Sequence, residues 1–541
     1  MQHFPELFET LLKQRGVLPE DQEAFLSPDY AKLHDPLLLP DMEKARTRLI
    51  SAIQNDEHIV VFSDYDADGI PGAVVVSDFF KRINYKNISF YIPHRHDEGF
   101  GLNLEAIGEC HERGAKLIIT VDCGIADIKE VQLANKNGID VIITDHHEPK
   151  TVLPEAFAIV NPKRKDSKYP FKEICGSAVI FKLVQATLAK ESFGVKPGME
   201  KWSLDMVAIA TLSDMVPLVG ENRILASFGL DVLRKSPRLG LAALFKNLNL
   251  NQRNLCEDDI AFMITPRINA ASRMGVPEDA FKLLSTSDPV EAERLAAHLE
   301  KINNERKGVV ASYVKEAKSQ LERRQEIKKV IVIGSPEWRP ALVGLVANSL
   351  VEEYGRPAFV WGRDGDGVIK GSCRTCNGYE LHVLMDLVPD SFLESGGHAG
   401  AGGFSTDLER LTSLEEKLSE ALLSLESSEK EIEKGLPISL SDVSENLWSV
   451  VSQFAPFGIG NEKPIFKISN VPIKTIRQFG KENNHLELTL APNIKAISFF
   501  SSPESYFLNP KSTSCTLLAN LEKSYFRDRP ELRLRIVNIE P

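Results

Sequence analysis

The apolar positions of this chain fall into short blocks separated by polar stretches of helix length. Between residues 58 and 162 four blocks recur, "HIVVFSD", "LIITVDC", "VIITDHH" and "FAIVNP". Each is a β-branched or aliphatic run closed by polar or turn-forming residues, the pattern of a buried strand meeting its loop. Strands alternating with helical segments predict βαβ units around a parallel sheet. From about Val216 to Arg324 the period turns helical, and "SDPVEAERLAAHLEKINNERKGVVASYVKEAKSQLERR" starts with an N-cap signal and continues as one long amphipathic run. "KKVIVIGS" opens a second α/β unit that continues through "RPAFVWG" to "GGHAGAGGF". An acidic helix follows, and Gly435-Leu436-Pro437 marks a boundary. The last hundred or so residues alternate with period two in five or six short stretches, which predicts a small barrel. The expected organisation is a helical segment over 1–50, an α/β domain over 51–215, a helical connector over 216–326, a second α/β domain with a parallel sheet over 327–434, and the barrel over 435–541.

A chain of 541 residues affords several cores, and 43% hydrophobic with 26% charged residues is the balance of an ordinary globular protein. No run is apolar for long enough to span a bilayer, and the charged start "MQHFPELFETLLKQRG" does not read as a signal peptide. Seven cysteines, irregularly scattered, do not form a disulfide framework, so a reducing cytoplasm is the expected compartment. The net charge of −12 speaks mildly against a nucleic-acid partner, but it is an average. From Gly435 onward 12 Lys and Arg face 10 Asp and Glu, and "NPKRKDSK" at 161–168 is a local patch able to meet phosphates.

The strand ends carry the chemistry. "DYDADG" spends aspartates at 64, 66 and 68 directly after an apolar strand, at the end where open α/β sheets bind ligands. Asp122 ends the next strand, the triplet Asp145-His146-His147 another, and Asp214 closes the apolar helical run "VAIATLSDMVP". Carboxylates this close repel one another unless a cation or solvent separates them. Together with imidazole they suit a hard or borderline divalent ion, Mn²⁺ better than Mg²⁺ where a histidine ligates, and the lack of cysteine speaks against structural zinc. Two such ions a few Å apart would serve hydrolysis of a phosphodiester. Any one of these residues alone would read as a turn residue; several acidic strand ends at once would not.

These motifs also carry a resemblance. In order, "DYDADG", "VDCG", "TDHH" and "LSDMVP" resemble the four motifs of the DHH phosphoesterase superfamily, and "IPHRHDEGFGL", "TPRINAASRMG", "KGSCRT", "ESGGHAGAGGF" and "FAPFGIGNEKPIF" resemble its RecJ branch of single-strand-specific 5′→3′ exonucleases. The likeness covers nearly the whole chain. It implies a two-lobed α/β core joined by a long helix, a C-terminal OB-fold barrel, and a role in DNA recombination and repair. It further implies that Asp66, Asp68, Asp122, His146 and Asp214 ligate two Mn²⁺ or Mg²⁺ ions, with Asp122 bridging. Asp64 would join or orient that shell, and His147 would meet the scissile phosphate. One position departs: smaller superfamily members place a ligating histidine where this chain has Phe62, so the first ion would rely on Asp64, water or a looser shell.

Recognition of the strand is expected from "GGHAGAGGF", whose glycines bare backbone N–H groups and whose Gly397 and His398 face a phosphate, and from Ser372 and Arg374 in "KGSCRT". By resemblance Arg95, Arg267 and Arg273 join them at the 5′-phosphate end or the entering strand. Cys373 and Cys376 form a lone CxxC that reads as incidental. In the barrel, Phe454, Phe457, Phe499, Phe500, Tyr506 and Phe526 are candidate stacking platforms, with most aromatics of so small a barrel expected in its core. The expected partners are single-stranded DNA, a single-stranded-DNA-binding protein and a recombination helicase, with the chain a monomer and no membrane involved. Two rival readings are a superfamily enzyme acting on short oligoribonucleotides, cyclic dinucleotides or polyphosphate, which has no need of a strand-tracking barrel, and a replication-associated binding protein, which would have lost the acidic residues.

Overall fold

The computed structural model describes residues 4–363, 367–376, 378–397, 400–425, 435–480, 483–506, 508, 513–525 and 530–540. The first sheet is built from β1 (Ile59–Ser63), β2 (Ile88–Tyr91), β3 (Leu117–Val121), β4 (Asp140–Thr144) and β5 (Ala158–Val160), all parallel, in the order β2-β1-β3-β4-β5. Helices cover both faces. Val61, Ile119 and Val121 pack with the helices Gly69–Arg82 and Gly176–Lys190, while Val60, Phe62, Ile118 and Ile143 pack with Leu104–Glu112 and Ile128–Lys136. That double burial is why the strands read as unbroken apolar runs. Strand order reverses between β1 and β3, which opens a crevice at their carboxyl ends.

The region expected as a mere connector contributes to the same core. Leu225, Leu244, Ile268, Leu283 and Leu299 lie in one continuous cluster with the strands. The 34-residue helix Pro289–Glu322 spans roughly 50 Å at 1.5 Å per residue. Its first half packs in the first lobe through Leu295 and Leu299, and its last turns pack in the second lobe through Ala317 and Leu321.

The second lobe holds β6 (Ile331–Gly334), β7 (Ala358–Arg363), β8 (Ile369–Arg374), β9 (Glu394–Gly397) and β10 (Ala401–Thr406), in the order β6-β7-β8-β10-β9. Only β6 and β7 are parallel; every other pairing is antiparallel. This corrects the parallel sheet expected for this unit. A parallel pair needs a crossover, which the helix Pro340–Tyr354 provides between β6 and β7; the links from β7 to β8 and from β9 to β10 are too short for one, and the longer link from β8 through the helix Leu381–Asp386 sets β9 beyond β10.

The C-terminal sheet runs β11 (Leu436–Pro437), β12 (Phe466–Pro472), β13 (Thr475–Phe479), β14 (His485–Ala491), β15 (Ile494–Phe499), β16 (Ser514–Ser524) and β17 (Glu531–Glu540), in the order β11-β12-β16-β17-β15-β14-β13 around a single core. Phe8, Leu11 and Leu12 of the helix Pro5–Gln14 belong to that core, so the N-terminal helix docks on the last domain. Between them lies a buried guanidinium. Arg223 donates to the carbonyls of Phe25 (2.8 Å), Phe454 (3.0 Å) and Ala455 (3.0 Å) and stacks over the Phe25 ring at 3.9 Å. Arg223→Met should strand the Phe25 and Ala455 carbonyls at a cost of about 3 kcal/mol, since unsatisfied buried acceptors cost roughly 1–3 kcal/mol each. Scanning calorimetry should then show the C-terminal domain melting earlier and apart from the rest; a single unshifted transition would count against the clamp.

Candidate active site

The crevice is lined by the residues that follow each central strand. Asp64 N–H donates to the Val121 carbonyl (3.0 Å), Asp122 N–H to Thr144 (3.0 Å) and Asp145 N–H to Val160 (3.2 Å), so the ladder carries three aspartates to one level. Asp122 then turns off with φ 60°, in the left-handed region. The chain opposite is glycine: a Cβ on Gly176 would lie 2.5 Å from the Asp122 Cβ and Oδ1. Gly69 lets the next helix start equally close, since a Cβ there would lie 2.4 Å from the Asp64 carbonyl oxygen.

Each carboxylate is aimed by its own bonds. Asp66 Oδ1 accepts from the N–H of Asp68 (2.7 Å) and Gly69 (3.2 Å). Asp68 accepts from the N–H groups of Gly176 (2.6 Å) and Ser177 (2.7 Å), at the positive end of the helix Gly176–Lys190. His146 Nε2 lies 3.2 Å from Asp122 Oδ1, 3.6 Å from Asp214 Oδ2 and 3.7 Å from Asp68 Oδ2. Ligand atoms of Asp64, Asp66 and Asp122 lie within 4.8 Å of one another, as do those of Asp68, His146 and Asp214. A third group, Asp122, His146 and His147, shares Asp122 with the first and His146 with the second.

The electrostatics of this arrangement demand positive charge. Burial, then the charges of their neighbours, raises Asp64 and Asp122 well above the usual carboxylate range. Burial and then Asp66 push Asp68 up to about 6, and burial followed by Asp68 and Asp66 pushes Asp214 up to about 9. Asp64 Oδ1 and Asp122 Oδ1 are buried and accept no hydrogen bond. Orphaned oxygens, mutual repulsion and a carboxylate–imidazole donor set together fit a pair of Mn²⁺ or Mg²⁺ ions. No cysteine joins the candidate ligand groups among the described residues. Phe62 is no part of this: its ring is fully buried on the other face of the sheet, stacked on Tyr91 at 5.0 Å.

Asp145 is the residue that sequence reasoning passed over. Fully buried, it accepts from Ile125 N–H (3.0 Å), His146 N–H (2.7 Å) and His147 N–H (3.1 Å), and lies 2.7 Å from His147 Nδ1. Burial opposes a charge on His147, but the bond to Asp145 and its charge outweigh it and raise the imidazole to about 9. His147 thus stands as a cation, 3.9 Å from Asp122 Oδ1, with Phe100 edge-on at 5.4 Å. The signal was present in the first letter of "DHH", read only as another acid.

The two lobes face each other across a cleft of about 1400 Å³, lined by Tyr65, Arg95, Phe100, Arg339, Arg363 and Lys370 among others. Arg95 lies over the ring of Tyr65, the residue between Asp64 and Asp66, at 4.9 Å. Arg273 donates to the Ala341 carbonyl (2.5 Å) in the first turn of the helix Pro340–Tyr354. Ser372 and Arg374 reach the same turn, where a Cβ on Gly344 would lie 3.3 Å from Ser372 Oγ and 3.1 Å from Arg374 Nη2. Burial first, then the charges of Arg95, Arg306 and Arg374, disfavours the charged form of Arg273. A guanidinium keeps its proton regardless, so positive charges gather at this corner, with Asp66 the acid that opposes them.

Other expected residues lie elsewhere. Arg267 is buried and bonded to Glu300 (2.8 Å) and the Met263 carbonyl (2.9 Å). Gly397 is in β9, where a Cβ would come within 2.4 Å of Gly402 Cα; His398 and Phe526 fall outside the described residues. In the patch at 161–168, Arg164 pairs with Asp41 and Asp166 and Lys163 with Glu148 and Glu173. Phe454 and Phe457 are core residues and cannot stack on bases, because the N-terminal helix covers that side of the barrel; Phe500 is 82% exposed. Cys373 is buried against Met385, and all seven cysteines are free. No helix among the described residues is long and apolar enough to cross a membrane.

Three family models match in chain order: the DHH family N-terminal domain over residues 58–211, the DHHA1 domain over 327–424 and the RecJ OB domain over 436–538. A single-stranded-DNA-specific exonuclease RecJ from Salmonella typhimurium is 32% identical over 79% of this chain and 78% of its own length. The chain belongs to the RecJ family. The RecJ of Bacillus subtilis is 36% identical over 90% of this chain, which spans 62% of that relative's length. Among solved structures, RecJ from Thermus thermophilus in complex with Mn²⁺ matches with a TM-score of 0.81 and 26% identity, covering 99% of this chain and 76% of that one. A second exonuclease RecJ bound to manganese matches with a TM-score of 0.61 and 30% identity over 73% of this chain and 97% of its own.

Two substitutions probe the crevice. Asp122→Ala should abolish hydrolysis with circular dichroism unchanged, because that carboxylate belongs to two of the three groups of candidate ligands. Gly176→Ala alters no candidate ligand itself but drives a methyl into Asp122, and Mn²⁺ affinity by calorimetry should fall at least about tenfold. Wild-type affinity in the glycine variant would show that the Asp122 rotamer is not held from that side.

Proposed function

We propose that this protein is a metal-dependent exonuclease that hydrolyses single-stranded DNA from its 5′ end in recombination and repair. One observation carries the reading: a buried carboxylate–histidine cluster short of positive charge stands beside a gathering of arginines, Arg95, Arg273 and Arg374, drawn from both lobes. When bound, a pair of divalent cations supplies Lewis-acid activation of water and of the phosphodiester. Asp66, Asp68, Asp122, His146 and Asp214 hold them, and Asp64 completes the shell that Phe62 cannot enter. Cationic His147, fixed by Asp145, binds a non-bridging oxygen of the scissile phosphate. Arg374 with Ser372, Arg273 and Arg95 takes a terminal 5′-phosphate, whose extra charge and free oxygens a guanidinium distinguishes from an internal diester. The relatives' names support the substrate, and the likeness supports a cytoplasmic monomer working beside a single-stranded-DNA-binding protein and a recombination helicase.

The test uses one oligonucleotide, single- or double-stranded, with a 5′-phosphate or 5′-hydroxyl and a 3′ label, in Mn²⁺. The expected result is loss of single strands from the 5′ end, with 5′-phosphate preferred and duplex spared. Arg374→Ala should cut the rate on phosphorylated strands about tenfold or more and narrow their advantage, in line with the loss of a charge-assisted bidentate contact. Shortening from the 3′ end would refute the polarity, and an unchanged preference in the variant would move the end-binding site elsewhere.

A further inference from the structure

Asp214 closes the helix Leu204–Ser213 and is followed by Met215 with φ 59°. A left-handed residue that is not glycine must be held there by its surroundings. Val216 and Leu218 are buried, and Asn222 Nδ2 donates to the Pro217 carbonyl at 3.0 Å. The remaining support comes from far along the chain: Leu218 N–H donates to the Ile459 carbonyl at 2.7 Å. Ile459 sits in the tight turn where Gly458 and Asn461 exchange backbone hydrogen bonds of 3.0 Å each. That turn is braced on all sides. Asn461 Nδ2 donates to the carbonyls of Phe454 and Pro456 (2.8 Å each), Arg15 Nε donates to Asn461 Oδ1 (2.6 Å), and Arg223 holds Phe454 and Ala455. Contact with the Asp214 loop is close enough that a Cβ on Gly458 would lie 2.7 Å from Leu218 Cδ1.

We propose that residues 454–461, which lead into the C-terminal barrel, position Asp214 for its metal ion, with Leu218 and Ile459 as positioning residues. The inference rests on the reading of Asp214 as a ligand. It makes the last domain a structural part of the catalytic centre, and sets aside a clean division in which that domain only tracks the strand. If the turn holds the ligand for the metal, linkage requires that the metal stabilise the turn equally.

Two measurements test this. In the wild type, hydrogen–deuterium exchange should slow in peptides covering 454–461 when Mn²⁺ is added. In Gly458→Ala, calorimetry should show one of two Mn²⁺ ions bound about tenfold more weakly, as when a supporting residue of a metal ligand is lost. Turnover of a 5′-phosphorylated trinucleotide should fall in parallel, while anisotropy of a long single strand without metal stays unchanged. Adding Leu218→Ala makes room for the new methyl and should bring affinity back to within about twofold, the signature of a contact between two sites. Exchange that ignores Mn²⁺, or a Gly458→Ala protein that binds both ions as the wild type does, overturns the proposal. Should Gly458→Ala fail to fold, the wild-type exchange result decides alone. Asp214→Asn separates the levels: if it binds two Mn²⁺ with wild-type affinity, the assignment of the ligand fails, and not only its support.

Discussion

Repulsion among buried carboxylates organises this molecule. Asp64, Asp68 and Asp122 are almost wholly withdrawn from water, and burial followed by the charge of neighbouring carboxylates, Asp66 among them, makes each harder to ionise. Such a cluster persists only if the backbone is locked too firmly to let the side chains separate. Helix N–H groups grip Asp68, the Asp66 carboxylate caps its own turn, and Gly176 leaves Asp122 just enough space. The surrounding parallel sheet, buried on both faces, is the rigid frame for this opposition. Stability is given up locally, and the binding of cations recovers it.

The second lobe mirrors that logic with the opposite sign. Arg273 is buried beside other arginines and donates to a carbonyl of the helix Pro340–Tyr354, so its position comes from the second lobe although its sequence belongs to the first. The 34-residue helix Pro289–Glu322, rooted in both cores, ties together the two lobes that supply these groups.

Much of this was legible in local pattern. Runs such as "LIITVDC" reveal strands because a strand buried on both faces has no alternation to disguise it, and acids at their ends stand out against that background. What depended on distant partners was not legible. Asp145 looks like any other acid until its bonds to the N–H of Ile125 and to His147 are seen. Arg267 and Arg273 occur in one short motif, yet one meets Glu300 and the other reaches the Ala341 carbonyl of the second lobe. The antiparallel pairings of β7 with β8 and of β9 with β10 follow from short links that periodicity does not report. Phe454 and Phe457 are aromatic for the sake of a core completed by Phe8 and Leu12, residues more than four hundred positions away.

That last contact bears on how the protein is made. The helix Pro5–Gln14 leaves the ribosome more than four hundred residues ahead of Phe454, against whose ring Phe8 packs edge-on. At a synthesis rate of roughly 5–20 residues per second, its apolar face waits some tens of seconds without the surface that buries it. During that interval Phe8, Leu11 and Leu12 form a greasy stripe on a nascent chain whose first lobe can already be folded. The barrel in turn cannot complete its core from its own residues alone. Docking of that helix on the later domain is therefore a late step of folding.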